Sequence, residues 1–147
     1  MRHRQIHESG GQRTYVVVLD AGEEAMACLK AFAEREKLTA AQVTAIGAFE
    51  RASLAYFDWQ AKDYTPIPVD EQVEVLSLNG DISLDKDDKP KLHVHTVLGR
   101  RDGSTVGGHL EGGLVRPTLE VIITESPVHL HRRHDDRSGL ALIDPEL

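Results

Sequence analysis

The sequence predicts an α+β domain: a mostly antiparallel sheet or partly closed barrel, with one main helix and a short second helix. Three observations carry this. A single early segment has helical periodicity behind a capping pattern. Many short β-branched, apolar runs follow it at close spacing. Turn signals separate those runs, and no internal repeat or Gly/Ser/Pro linker divides the chain.

Taken in order, residues 1–12 are polar and read as a flexible N-terminal arm, which leaves residues 13–147 as a single domain. Thr14 to Leu19 is β-branched and apolar, the pattern of a buried strand. Asp20 with Glu23 three residues later forms a capping-box pattern, and a helix follows to about Lys37. Met26, Leu29, Phe32 and Ala33 make its apolar stripe, while Glu24, Lys30, Glu34 and Arg35 face outward. Cys28 lies within this helix and reads as a packed thiol. Thr39 with Gln42 repeats the capping pattern and predicts the short second helix before Val43–Ile46.

Strands are predicted over Leu54–Trp59, Val73–Leu78 and Ile82–Leu84, with Asn79-Gly80 as a hairpin turn between the last two. Asp85–Pro90 is a polar turn. Lys91–Leu98, Val106–Leu110 and Val115–Thr124 are further strands. Trp59, Tyr56, Phe57 and Tyr64 are assigned mainly to core packing, with an interface or pocket wall as the alternative.

A chain of 147 residues has room for one domain and, at this size, buries roughly 70% of its unfolded surface. Its 17 Lys and Arg against 24 Asp and Glu give a net charge of −7, which disfavours nucleic acid as a default partner. No apolar run approaches the ~20 residues of a membrane helix. The start Met1-Arg2-His3-Arg4-Gln5 has no apolar region behind it, and Cys28 is the only cysteine. A cytoplasmic, reducing location is expected. Charging the 8 histidines would nearly neutralise the chain.

The chemistry concentrates between Lys91 and Gly113. Alternate strand residues share a face, so His93 and His95 project together with Cα atoms about 6.7 Å apart. Arg101-Asp102-Gly103 suits a three-residue hairpin loop with Gly103 in the left-handed conformation. That register sets Arg100 opposite Ser104, His95 opposite His109 and His93 opposite Glu111. A two-residue Asp102-Gly103 turn would instead put His109 on the other face. Gly107, Gly108, Gly112 and Gly113 flank the cluster and remove bulk, leaving space for an ion or ligand. Three histidines with an optional carboxylate suit Zn²⁺ or another borderline divalent ion with an open coordination position. Such an ion polarises a carbonyl or acidifies a bound water, chemistry of a lyase or hydrolase kind. The alternative is a bulged strand with hydrogen-bonded histidines and no ion. Glu111 is the candidate fourth ligand or general base, and Arg116 a candidate partner for an anionic ligand. His129–His134 reads as a polar edge strand, with an anion-binding patch through Arg132 and Arg133 or an intersubunit contact as the alternatives.

Lys91-Leu-His-Val-His95, Gly107-Gly-His-Leu110 and Pro117-Thr-Leu-Glu-Val121 resemble the plants-and-prokaryotes-conserved (PPC) domain family. So do Val73–Gly80, the Asp20–Leu38 helix and Ser138–Leu142, so the resemblance runs from about Arg13 onward. It implies a compact α+β domain assembled as a homotrimer. Bacterial members are commonly labelled DNA-binding, by association with plant proteins that carry a separate AT-hook. No Arg-Gly-Arg-Pro of that hook occurs here, which removes the element with a clear minor-groove mechanism. The fold is also similar to that of acetolactate decarboxylases, which hold zinc with a His-x-His strand pair and a third histidine. His93, His95 and His109 match that pattern, although a shared fold does not imply shared catalysis.

Two functions follow as expectations: a trimeric metal- and small-ligand-binding protein at the three histidines, or a DNA-associated regulator. The second would use Arg2, Arg4 and Arg13 of the arm with Arg132 and Arg133. A third role is as an assembly partner for other PPC proteins.

Overall fold

The computed structural model describes all 147 residues. It has one helix and nine strands, and the sheet is mixed but mainly antiparallel. The elements are β1 (Arg2–Ser9), β2 (Gln12–Asp20), α1 (Ala25–Glu36), β3 (Ala40–Asp58), β4 (Asp63–Val69), β5 (Val73–Leu84), β6 (Pro90–Gly99), β7 (Thr105–Glu125), β8 (His131–Asp135) and β9 (Leu140–Asp144). Neighbours run β1-β2-β7-β3-β5-β8-β9, with β4 on β3 and β6 joined to both β5 and β7. The pairs β7–β3, β3–β5, β5–β6 and β6–β7 therefore close a ring of strands. No helix is long and apolar enough to cross a membrane.

Side-chain alternation builds the core inside this arrangement. Val17, Leu19, Val43, Leu54, Val94, Leu98, Leu110, Val115, Leu119, Val121 and Ile123 are fully buried. Helix α1 covers one end, burying Ala25, Leu29, Phe32 and Ala33 against β6 and β7. Its N-cap is Glu24, whose carboxylate accepts from the Met26 and Ala27 amides at 3.2 and 2.6 Å. The expected Asp20–Glu23 pairing survives one turn earlier, with Glu23 accepting from the Asp20 amide at 2.9 Å. Lys37 closes the helix in the left-handed conformation, and the Leu38 amide reaches back to Ala33 at 3.0 Å.

Three expectations are corrected. Residues 2–9 are not a loose arm but a strand on the outer edge of β2, from Arg2↔Val18 to Ser9↔Gln12. Every side chain in it is exposed, because main-chain hydrogen bonds hold it and these ask nothing of side-chain polarity. Arg2 adds an ion pair to Asp20 at 2.8 Å, and the His3 ring lies edge-on to Phe32 with 5.4 Å between centroids.

The second helix is absent. Residues 40–43 pair with Ser83–Gly80 on one side, and Ala41 and beyond with Glu125 and Thr124 on the other. Two ladders outweigh a local capping pattern. Nor is Asn79-Gly80 a turn, since β5 runs straight through it and the chain reverses at Asp85–Lys89 instead. There the Asp85 carboxylate accepts from the amides of Asp87 and Lys89 at 2.8 and 3.0 Å. Gly80 is needed for close approach. A Cβ there would lie 2.2 Å from the His93 carbonyl oxygen and 2.9 Å from Val94. The hairpin at Arg101–Gly103 forms as expected, with the Arg100 amide on Ser104 at 2.8 Å and Gly103 at φ +82°.

Gly80→Ala is expected to destabilise the fold by about 1–3 kcal/mol or more, because the clash is with backbone that cannot rotate away. Urea unfolding checks this, and an unchanged midpoint would show that β5 and β6 separate without cost.

Candidate metal centre

The register of β6 on β7 is the one that the hairpin predicts: His95↔His109, Thr96↔Gly108, Val97↔Gly107. Val94 and Leu110 point into the core, so His93, His95 and His109 project together from the opposite face. Their ring centroids are 5.0 Å (His93–His95), 5.3 Å (His93–His109) and 5.4 Å (His95–His109) apart. One nitrogen from each ring lies within 4.8 Å of the others. The Nε2 atoms of His93 and His95 are 3.2 Å apart. Two nitrogens bound to one tetrahedral zinc at about 2.0–2.1 Å sit at a similar separation.

Burial lowers the pKa of His109, and the neighbouring His93 and His95 lower it further. Burial and His93 do the same to His95. Neutral imidazole is the ligating form. His109 Nδ1 is buried with no hydrogen-bond partner. In a cluster held only by hydrogen bonds, each buried nitrogen would have a partner, since leaving one unmade costs about 1–3 kcal/mol. Three converging imidazoles, one with a buried nitrogen that has no partner, fit a cation, and the donor set suits a borderline metal.

The other expected residues are not part of the cluster. Glu111 is displaced by a bulge: β3 pairs Leu54↔Leu110 and then Ser53↔Gly112, so Glu111 is the extra residue. Its carboxylate accepts from Ser53 Oγ at 3.2 Å, and the β6–β7 ladder has already ended at His95↔His109. Facing His93 instead is Asp81 of β5. Arg116 pairs with Glu50 at 2.5 Å, seven residues along β7 from His109. Arg132 is no surface contact either. Its side chain is 4% exposed and pairs with Asp81 at 2.5 Å. Arg133 is exposed but bound to Asp144 at 3.0 Å.

Nor do the flanking glycines open space. A Cβ at Gly108 would lie 2.7 Å from the Ala55 carbonyl oxygen, and one at Gly113 within 3 Å of the Phe49 ring. They let strands and core approach each other. The aromatic residues also depart from core packing, with Tyr56 65% and Trp59 54% exposed. Tyr64 instead stacks against His109 at 5.0 Å and against Phe57 at 5.3 Å, forming one side of the site. Cys28 packs half-buried against the core, and burial pushes its thiol pKa up.

Sequence reasoning missed Asp81 and offered a pocket wall for Tyr64 only as the alternative to core packing. A continuous β5 would have placed Asp81 opposite His93, but the Asn79-Gly80 turn signal hid that alignment. Nothing local marks Tyr64, which reaches His109 through the β3–β4 pair Phe57↔Tyr64 and the β3–β7 pair Ala55↔His109.

Fold and site together define a small α+β domain that presents three convergent strand histidines. The chain belongs to the Plants and Prokaryotes Conserved (PCC) domain family, whose model matches residues 6–127. It is similar in structure to a protein of Archaeoglobus fulgidus described as metal-containing, at 34% identity, TM-score 0.82, over 88% of this chain and 91% of that one. A plant- and prokaryote-conserved protein of Pyrococcus horikoshii matches at 32% identity and TM-score 0.84, over 94% and 97%. A candidate DNA-binding protein of Bacteroides thetaiotaomicron matches at 26% identity and TM-score 0.88, over 99% of each chain. A curated relative, the bifunctional protein GlmU of Synechococcus sp. (strain JA-3-3Ab), is 31% identical over 130 residues, and this chain spans 20% of its length.

Proposed function

We propose that this protein binds one divalent metal ion, zinc before others, on His93, His95 and His109, and that the ion takes a small molecule at an open position. The convergence of three imidazole nitrogens within 4.8 Å carries this reading. The metal-containing description of the Archaeoglobus protein supports it. Nitrogen donors favour zinc and its neighbours over magnesium or calcium. When bound, such an ion supplies Lewis-acid polarisation of an oxygen or an acidified water, the chemistry of a lyase or hydrolase. The three rings provide the donors, and Tyr64 shields one flank of His109.

DNA binding is the rival reading, favoured by the description of the Bacteroides protein. The charges of this chain oppose it. Arg2, Arg13, Arg35, Arg51, Arg100, Arg116, Arg132 and Arg133 are all paired with carboxylates. Each such carboxylate offsets positive charge that a phosphate would otherwise meet, at about 0–1 kcal/mol for the exposed pairs, and of the arm's arginines Arg4 alone has no such partner.

We read the assembly as a homotrimer, as the PPC resemblance implies. The outer face supports an interface between copies, since Ile46, Leu76, Val97 and Ile122 are exposed there on adjoining strands.

Protein purified without chelator is expected to hold about one divalent ion per chain by elemental analysis, and His93→Ala or His109→Ala less than about a tenth of that. Wild-type protein that neither carries such an ion nor takes up Zn²⁺ or Co²⁺ overturns the reading. Across a salt series, duplex DNA binding is expected to stay in the weak nonspecific range of about 10⁻⁴ M or above. Tight binding with a steep salt slope would favour the rival. Light scattering is expected to give three times the 16.3 kDa chain mass, and Ile46→Glu to shift it toward monomer. A monomeric wild type refutes the trimer.

A further inference from the structure

Asp81 sits on β5 directly opposite His93 on β6. Its Oδ2 is 3.5 Å from Nδ1 of His93, while Nε2 of the same ring is 3.2 Å from Nε2 of His95. One edge of the ring therefore faces a carboxylate and the other faces the cluster. A small rotation about the broad χ2 torsion closes the 3.5 Å separation to a hydrogen bond.

Behind Asp81 stands Arg132. Its Nη2 donates to Asp81 Oδ1 at 2.5 Å, its Nε to Ser83 Oγ at 2.8 Å and its Nη1 to the Ala141 carbonyl at 2.9 Å. Ser83 Oγ also donates to Asp81 Oδ1 at 3.3 Å. Arg132 and Ala141 belong to the two strands of the β8–β9 hairpin, which joins the sheet through the single pair Leu84↔His131. Leu140, Ala141 and Leu142 of this hairpin, with Tyr64, His93 and His109, line a cavity of about 190 Å³. The hairpin lies beyond residue 127, the last residue that the family model matches.

We propose that Asp81 and Arg132 are positioning residues of the histidine site: Arg132 pins the Asp81 carboxylate, and the carboxylate orients His93 toward the metal. The inference rests on the metal reading above. A ligating imidazole needs its lone pair at the nitrogen facing the ion and its proton on the other, and a carboxylate behind the ring selects that tautomer and angle. An aspartate with free rotamers would do this poorly. The planar fork of a buried arginine holds it in one place. Stability alone is a weak reason for such a pair, since buried ion pairs can often be replaced by apolar residues without loss. The same arginine ties down the strand that walls the cavity, so the hairpin and the metal site are one unit.

The test is Co²⁺ titration of the full chain in competition with a chelator of known affinity, with visible absorption and metal-free melting temperature recorded in parallel. Asp81→Asn keeps the shape and an acceptor for Arg132 but removes the carboxylate. It is expected to weaken Co²⁺ binding about 10–100-fold and to alter the visible band. Arg132→Lys keeps the charge without the fork and is expected to lose about 3–10-fold. Because Arg132 acts through Asp81, the double variant is expected to bind like Asp81→Asn alone. Arg133→Ala, on the same strand but facing solvent, is expected to bind like wild type.

Asp81→Asn with wild-type affinity and spectrum overturns this inference and leaves the metal reading standing. So do losses from the two variants that multiply in the double variant. Wild-type protein that binds no Co²⁺ overturns both. If Asp81→Asn does not fold, Arg132→Lys carries the test, and wild-type affinity in that variant counts against the inference.

Discussion

Strand β7 hydrogen-bonds to β2, β3 and β6 along its length, and the register it sets against each of them is the constraint on which the rest depends. Leu110, Val115, Leu119, Val121 and Ile123 project from it into the core. A one-residue slip would drive His109 into that core and turn Leu110 out to solvent. Each large apolar side chain so exposed costs about 1.5–3 kcal/mol, and five would move together. The facing of His109 toward His95 is therefore enforced by apolar burial on the other side of the same strand. The site draws its precision from the core and not from contacts among the histidines themselves.

What was legible in the sequence was local. Arg101-Asp102-Gly103 specifies a turn through the left-handed preference of Gly103, and counting back along both strands recovers His95↔His109. Thr14–Leu19 follows from its continuous β-branched, apolar run, and the stripe of α1 from 3.6-residue periodicity. The same counting failed two residues past His109. A bulge at Glu111 inserts an extra residue, and no local pattern of residue types announces it. Asn79-Gly80 misled for a related reason. Its glycine answers to a carbonyl on another strand, whereas a turn signal assumes that it answers to its own backbone.

The edge strand β1 and the Arg132–Asp81 pair lay out of reach in a different way. Both are long-range. Arg2–Ser9 becomes a strand because β2 offers an open edge, a property of the sheet and not of those eight residues. Arg132 looked like surface charge because its neighbours Arg133, His134, Asp135 and Asp136 are polar. Its burial follows from alternation within β8, where His131 and Arg133 turn away from the side that Arg132 takes. Alternation predicts that Arg132 differs from its neighbours, but not that a carboxylate 51 residues earlier waits there.

The histidines show how much partner identity decides. His129 bonds to the Thr39 hydroxyl at 2.8 Å, His131 to Asp88 at 3.3 Å, and His134 lies 3.5 Å from Asp136. Each is near a polar group that can satisfy it, and together they form no cluster, although they are as close in sequence as any in the chain. In the triad, His95 instead meets the His93 ring nitrogen, His109 Nδ1 has no partner, and of the three only His93 is backed by a carboxylate. Imidazoles gain little from one another and lose solvation by being gathered. That the fold nonetheless brings three of them to one face, with a carboxylate and a buried arginine behind one ring, is what favours the proposal of a ligand bound by the three in common.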